Sequence, residues 1–350
     1  MTTRTRYFVI VSLLVLGIGV GTGLVAYYVG LSPSAFAQRA GTEELRYLPR
    51  DVSVVAYADV REVMTSELRQ HLRHAVPMQK QEDGQREFQN ETGINVETDI
   101  DRVVACLEPD RTSVSPAGMV LARGRFDEVK IEALMRERGA QVENYKNSRL
   151  IVADHLDVGH RRPADGGVAD NPNVRPSGPD RFALSFLQPG LVAVGGIGLV
   201  RHAIDLHAGG GESAATNDEL MTQVRSLDSG NAWAVGRLDL LRSNTGFPQG
   251  VATQLPAITW FSVSGHVDGG LRGVVRAEAG DEEAAKNLRD VVRGLLALAR
   301  LQAGSGPEFQ GLLQSLELGG AGKTVALSFD VPAQVFDLLG AAGSTGRERH

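Results

Sequence analysis

Val52-Ser53-Val54-Val55-Ala56-Tyr57-Ala58-Asp59-Val60-Arg61-Glu62 carries the reading of the fold. Val52 to Ala58 alternates like a strand, and Asp59 with Glu62 three residues on is the capping pair that opens a helix. Val60, Met64, Leu68, Leu72 and Ala75 continue at helical spacing, so a strand passes directly into an amphipathic helix. Ala232 to Val235, ahead of Leu238-Asp239-Leu240-Leu241, is a weaker echo of the same handover.

Similar orders of elements follow the two copies. In the first half a strand at Met119–Arg123 leads to a helix that starts at Asp127 and is closed by Gly139. Strands around Leu150–Ala153, Phe182–Phe186 and Leu191–Val194 come next, and a short helix through Val200–Leu206 ends the half. In the second half Ile258–His266 and Leu271–Ala277 predict a hairpin across Val267-Asp268-Gly269-Gly270. A long helix from Asp281 places Ala284, Leu288, Val291, Val292, Leu295 and Ala299 on one face and Arg289, Arg293 and Arg300 off it. Leu316–Leu318 and Thr324–Phe329 give a last strand pair, and Pro332 starts a final helix stopped by Gly340. The expected class is α+β: two related domains, each a mixed or antiparallel sheet with helices packed on one face. They span residues 47–207, with a long loop at 155–181, and 231–340. Residues 208–230, with a helix capped near Asn217, connect them, and 341–350 form a tail.

The amino terminus sets the location. Arg4 and Arg6 precede 24 uncharged residues, Phe8 to Leu31, edged by Tyr7 and by Tyr27-Tyr28. As a helix this run is about 36 Å long, enough to cross a hydrocarbon core of about 30 Å. The charge bias places residues 1–6 in the cytoplasm, a span at 7–31, a linker at 32–46 and the remainder outside the inner membrane. Ala35-Phe36-Ala37 also reads as a signal-peptidase site, which leaves a cleaved signal as the alternative. Gly17, Gly19, Gly21 and Gly23 form two small-xxx-small pairs that would permit a homodimer through the span, the alternative being that glycine is simply common in membrane helices.

Composition excludes some partners. The chain has 36 Lys and Arg against 42 Asp and Glu, net −6; setting aside Arg4 and Arg6 leaves the extracytoplasmic part near −8. With 5% aromatic residues and no basic stripe, nucleic acid is not an expected partner. Cys106, the single cysteine, lies in the apolar run Val103–Leu107 and reads as a buried side chain.

Candidate sites are few. Gly319-Gly320-Ala321-Gly322-Lys323-Thr324 resembles the end of a phosphate loop, but Glu317 stands where a glycine is needed and a strand follows, so it reads as a hairpin turn. Gly195-Gly196-Ile197-Gly198 reads as a strand-to-helix turn. His71 and His74, the oxygen donors Asn95, Glu97, Asp99 and Asp101, and the trio His155, Asp157 and His160 are weak metal-ligand candidates. The long loop, with Arg161, Arg162, Asp165, Asp170 and Arg175, reads as an interaction loop or an unstructured excursion. No nucleophile elbow or Cys/His pair occurs, so neither a catalytic residue nor a cofactor is expected.

Two blocks carry a resemblance. Leu48-Pro49 with Val52–Asp59, and Leu187-Gln188-Pro189-Gly190-Leu191-Val192-Ala193-Val194-Gly195 with Arg201-His202-Ala203-Ile204-Asp205, are similar to bacterial membrane-anchored extracytoplasmic proteins of the domain-of-unknown-function type. The resemblance implies a duplicated α+β domain and no catalytic residues. The expected function is that of a non-catalytic envelope protein binding another envelope component, as scaffold or accessory subunit. A lipid or small-ligand carrier and a metal-dependent envelope hydrolase are the alternatives.

Overall fold

The computed structural model describes residues 43–70, 93–108, 117–153, 181–228, 230–238, 258–303 and 313–332, with Arg86, Gln89, Asn90 and Gly311 besides. The expected span at 7–31, with Gly17, Gly19, Gly21 and Gly23, lies outside these residues. Among those described, no helix is long and apolar enough to cross a membrane.

Seven strands belong to the first half: β1 (Val54–Ala58), β2 (Ile100–Glu108), β3 (Ala117–Gly124), β4 (Gln141–Tyr145), β5 (Ser148–Ala153), β6 (Phe182–Gln188) and β7 (Leu191–Gly196). Five belong to the second: β8 (Ala232–Arg237), β9 (Ile258–Val267), β10 (Gly270–Ala279), β11 (Glu317–Gly319) and β12 (Thr324–Pro332). The two sheets expected from the sequence are one antiparallel sheet of 12 strands, in the order β11-β12-β10-β9-β8-β1-β2-β3-β7-β6-β5-β4. The physical reason lies in β1 and β8. Val54 to Tyr57 and Ala232 to Gly236 are all buried, so neither strand could stand as an exposed edge, and each closes the other's hydrogen-bonding side.

The pairings repeat about a local twofold between β1 and β8. Ala56 stands opposite Ala234 at the middle of that pair. From Ala56 the register steps through Ala105, Val120 and Val194 to Leu184. From Ala234 the same steps lead through Val263, Val275 and Leu327 to Leu318. The hairpin β4–β5 extends the first half alone. Its two-residue turn, Lys146-Asn147, has φ of 45° and 66°, as a tight hairpin turn requires.

Helices cover both faces, where the sequence reading put them on one. Helix α1 (Val60–Met64) follows β1, and α2 (Glu128–Glu137), α3 (Ile197–His207), α4 (Asp218–Arg225) and α5 (Glu282–Ala303) come later. Ile131 and Met135 of α2 pack with Val103, Ala105 and Val120, and Ala285 and Leu288 of α5 pack with Phe261, Val263 and Val325, all on one face. Leu199, Val200, Ala203 and Ile204 of α3 and Leu220 of α4 pack with Val104, Cys106 and Leu121 on the other, beside Leu45 and Leu48. Strand β2 is apolar at both parities, so both sides of the sheet need cover.

Caps follow the sequence. Asp59 accepts from the Glu62 N–H (2.9 Å), Asp127 from Lys130 (3.0 Å) and Asn217 from Leu220 (3.1 Å). The first helix is shorter than its stripe predicts. It stops after Met64, where Thr65 Oγ1 and Ser66 Oγ donate to the carbonyls of Arg61 and Val63 and a separate turn begins. Val291 and Leu295, expected inward, are 37% and 39% exposed, because the row that meets the sheet runs through Ala285 and Leu288.

Candidate functional site

The two halves share a register but not a chemistry on the face opposite α2 and α5. In the first half this face carries Val104, Cys106, Met119, Leu121 and Leu191, all buried beneath α3 and its neighbours. Stepping out by equal strides from Ala234, the matching positions are Ser262, Ser264, Val274, Arg276 and Thr324. Arg102 and Arg123 have Trp260 and Glu278 as their counterparts. Positions that are apolar core in one half carry hydroxyls and a guanidinium in the other, with Ser262 and Ser264 buried and Arg276 and Thr324 partly buried.

The carboxyl end of α4 borders this surface and leaves a hollow of about 280 Å³. Its floor is Ser262, 4% exposed, and its walls include Trp260, Arg276, Glu278 and Thr324 from the sheet and Gln223 from α4. The polar walls are held in place. Gln223 Nε2 donates to Glu278 Oε2 at 2.8 Å, and Arg276 Nη2 donates to Asp228 Oδ2 at 2.5 Å. The Arg237 guanidinium lies over the Trp260 ring, 5.9 Å from its centroid. Ser264 Oγ and Arg276 Nη1 are enclosed with no hydrogen-bond partner among the described residues. A desolvated donor of that kind costs about 1–3 kcal/mol, and an apolar face of the kind seen in the first half would avoid it. The arrangement presents donors and acceptors beside Trp260.

The sequence-predicted candidates distribute differently. His71, His74, His155, Asp157, His160, Arg161, Arg162, Asp165, Asp170 and Arg175 lie outside the described residues. The oxygen donors at 95–101 do not converge on a metal position. Asn95 Oδ1 accepts from the Glu97 N–H (2.9 Å), Asp99 Oδ2 accepts from the Asn95 N–H (2.8 Å), and Glu97 and Asp101 pair with Arg69 and Arg61. They stabilise the entry into β2 and are used up in doing so. Among the described residues no group of three His, Cys, Asp or Glu side chains is placed to hold a metal ion. Gly319–Thr324 is the turn between β11 and β12, with φ of 101° at Gly320 and 54° at Gly322, and the Thr324 N–H donates to Ala321 O (3.0 Å). Gly195 and Gly196 end β7 as α3 begins. Cys106 is buried and its thiol is pushed up to about 12, first by desolvation and then by Glu108, so at neutral pH it is a protonated core group.

Sequence reasoning missed the hollow. The signal was present in Trp260-Phe261-Ser262-Val263-Ser264, where one parity is apolar and the other carries hydroxyls, and in Arg276 and Glu278 two residues apart on the pairing strand. Alternation of that kind predicts a half-exposed strand, which gives no reason to single out a site.

No family model and no curated protein matches the chain. Two solved structures are similar at a low level, crystal forms III and I of TP0453. Their TM-scores are 0.45 and 0.43 at 7% identity, over 89% and 87% of this chain and 99% of theirs. At those scores the likeness carries no argument about fold or activity.

Proposed function

We propose that this chain is an envelope protein held to the inner membrane by residues 7–31 and facing outward. Its extracytoplasmic part binds another envelope component through the polar face of its second half, in a scaffold or accessory role. The observation that supports this is the exchange at matched register of Val104, Cys106, Leu121 and Leu191 for Ser262, Ser264, Arg276 and Thr324, with Met119 against Val274 the matched pair that stays apolar. Folding stability favours an apolar face under a helix, as in the first half, so a hydroxyl- and charge-bearing face in the same position is retained for recognition. The hollow favours a polar ligand over a lipid chain, because its floor and walls carry Ser262, Arg276 and Glu278.

In-cell crosslinking of the full-length chain, followed by affinity purification and mass spectrometry, tests the reading. A defined component crosslinked to β9, β10 or β12, and lost when Trp260→Ala and Arg276→Ala are combined, is the expected result. Empty eluates, or crosslinks that ignore the double substitution, would overturn it. Fractionation with membranes that persists after alkaline washing tests the anchor separately.

A further inference from the structure

We infer that the hollow between α4 and strands β9, β10 and β12 receives a neutral, hydroxyl-rich ring, the chemistry of one sugar residue. The inference rests on the binding role proposed above and names the ligand class for the same face.

Size comes first. A volume of about 280 Å³ sits just under the range of about 300–1,000 Å³ common for small-molecule sites, enough for one substituted ring and too little for an acyl chain. Charge comes second. The Arg276 guanidinium is already paired with Asp228 at 2.5 Å, and the Glu278 carboxylate is held by Gln223 at 2.8 Å. The Arg276 charge is met by Asp228, whereas Glu278 keeps its charge under the neutral amide of Gln223, so an anion would face an unmatched carboxylate.

Hydrogen-bonding capacity does remain. A carboxylate offers about four acceptor sites and a guanidinium five donors, and the amide of Gln223 has both kinds. These planar groups match pairs of adjacent hydroxyls, each of which donates and accepts. Ser262, 4% exposed at the floor, and Thr324 add groups of the same type. Trp260, partly buried against the core, is among the lining residues and adds an apolar side chain beside the polar groups, as the C–H bonds of a saturated ring require. An amino acid would bring its own carboxylate against Glu278.

The test uses the full-length chain in a zwitterionic detergent free of sugar headgroups. Glucose, mannose and N-acetylglucosamine are each titrated alone, read by saturation-transfer NMR and by tryptophan fluorescence. Binding of at least one is expected, weakened tenfold or more by Glu278→Ala and by Ser262→Val with the unfolding midpoint checked. Gln223→Ala, on the surface helix, is the companion variant if either sheet variant fails to fold. Trp260→Phe should abolish the fluorescence response and leave the NMR signal. Sedimentation with purified peptidoglycan, lost in the same variants, assigns the ring to a glycan; binding of free sugar alone assigns it to a soluble sugar, and both support the inference. No signal from any of the three sugars, binding indifferent to the substitutions, or binding of L-alanine or inorganic phosphate in their place would overturn it. A protein partner captured by crosslinking alongside silent sugars would overturn the sugar assignment and leave the binding role standing.

Discussion

Glu44 is a charged residue inside the first half, with its side chain only 2% exposed. Its Oε1 accepts from Arg123 Nε at 2.7 Å and from Arg102 Nε at 3.3 Å, both arginines being partly buried. Replacing it by alanine removes the buried carboxylate that both guanidinium groups share. Glu44→Ala should therefore lower the unfolding free energy by about 3 kcal/mol, read from urea midpoints at unchanged slope. Asp205 is a surface counterpart. Lys146 Nζ lies 2.7 Å from Oδ1 and the Tyr145 hydroxyl 3.2 Å from Oδ2. Lys146 first, and Tyr145 after the opposing effect of desolvation, hold the carboxyl below its usual value. A depressed folded-state value contributes stability in full above the unfolded value of about 3.9, and that contribution fades as pH falls through the lower folded value. Asp205→Asn should thus flatten the acid limb of the stability curve and leave its shape above about pH 6 unchanged. Thermal midpoints across the pH series check it. At this scale the caps Asp59, Asp127 and Asn217 were legible, since each depends on one side chain and a backbone N–H three residues on. Glu44 was not, because Arg102 and Arg123 come from far along the chain.

Helix α5 shows what an element's own pattern contains. Ala285 and Leu288 are buried, whereas Val291, Leu295 and Leu298 run along the exposed side at 37%, 39% and 47%. In sequence the two rows merge into one broad apolar face. Leu288→Ala should cost about 2–5 kcal/mol, and Leu298→Ser should stay within about 0.5 kcal/mol, because only the first opens a cavity against the sheet. Denaturant unfolding of the two variants side by side separates them; equal losses would show that the outer row is covered. Strand β8 makes the opposite kind of prediction. A Cβ on Gly236 would lie 2.6 Å from the Phe261 ring and 2.9 Å from Val54 Cγ2, so Gly236→Ala should destabilise by about 1–3 kcal/mol through overpacking. The same urea titration measures it. Two strands escaped the sequence reading, for different reasons. Strand β4 is Gln-Val-Glu-Asn-Tyr at a sheet edge, too polar to register, while β2 holds the unbroken apolar run Val103–Leu107, which has no alternation to mark it as a strand.

Across the whole molecule, the β1–β8 pairing joins the halves, and Tyr57 stacks on Trp233 over it with ring centroids 5.8 Å apart. Burial holds the Tyr57 hydroxyl protonated well above its ordinary range, with Asp59 adding to the effect. A continuous sheet of this kind should unfold as a unit. Tryptophan fluorescence, which reports the second half and the seam, and far-UV circular dichroism, which reports all strands, should give coincident urea transitions. Two separated transitions would show that the halves are independent despite the shared sheet. By itself the sequence determined the α+β class, most of the strands and helices, their caps and turns, and the burial of Cys106, because periodicity, capping and turn chemistry act over a few neighbouring residues. It also set the expectation of a span at 7–31, from length and apolarity alone. Only the tertiary structure decided that the halves share one sheet, that both faces of it are covered, and that Ser262, Arg276 and Glu278 meet Gln223 around a hollow. Those outcomes depend on which strand edges close on each other and on which register brings distant residues side by side, and no local pattern encodes either.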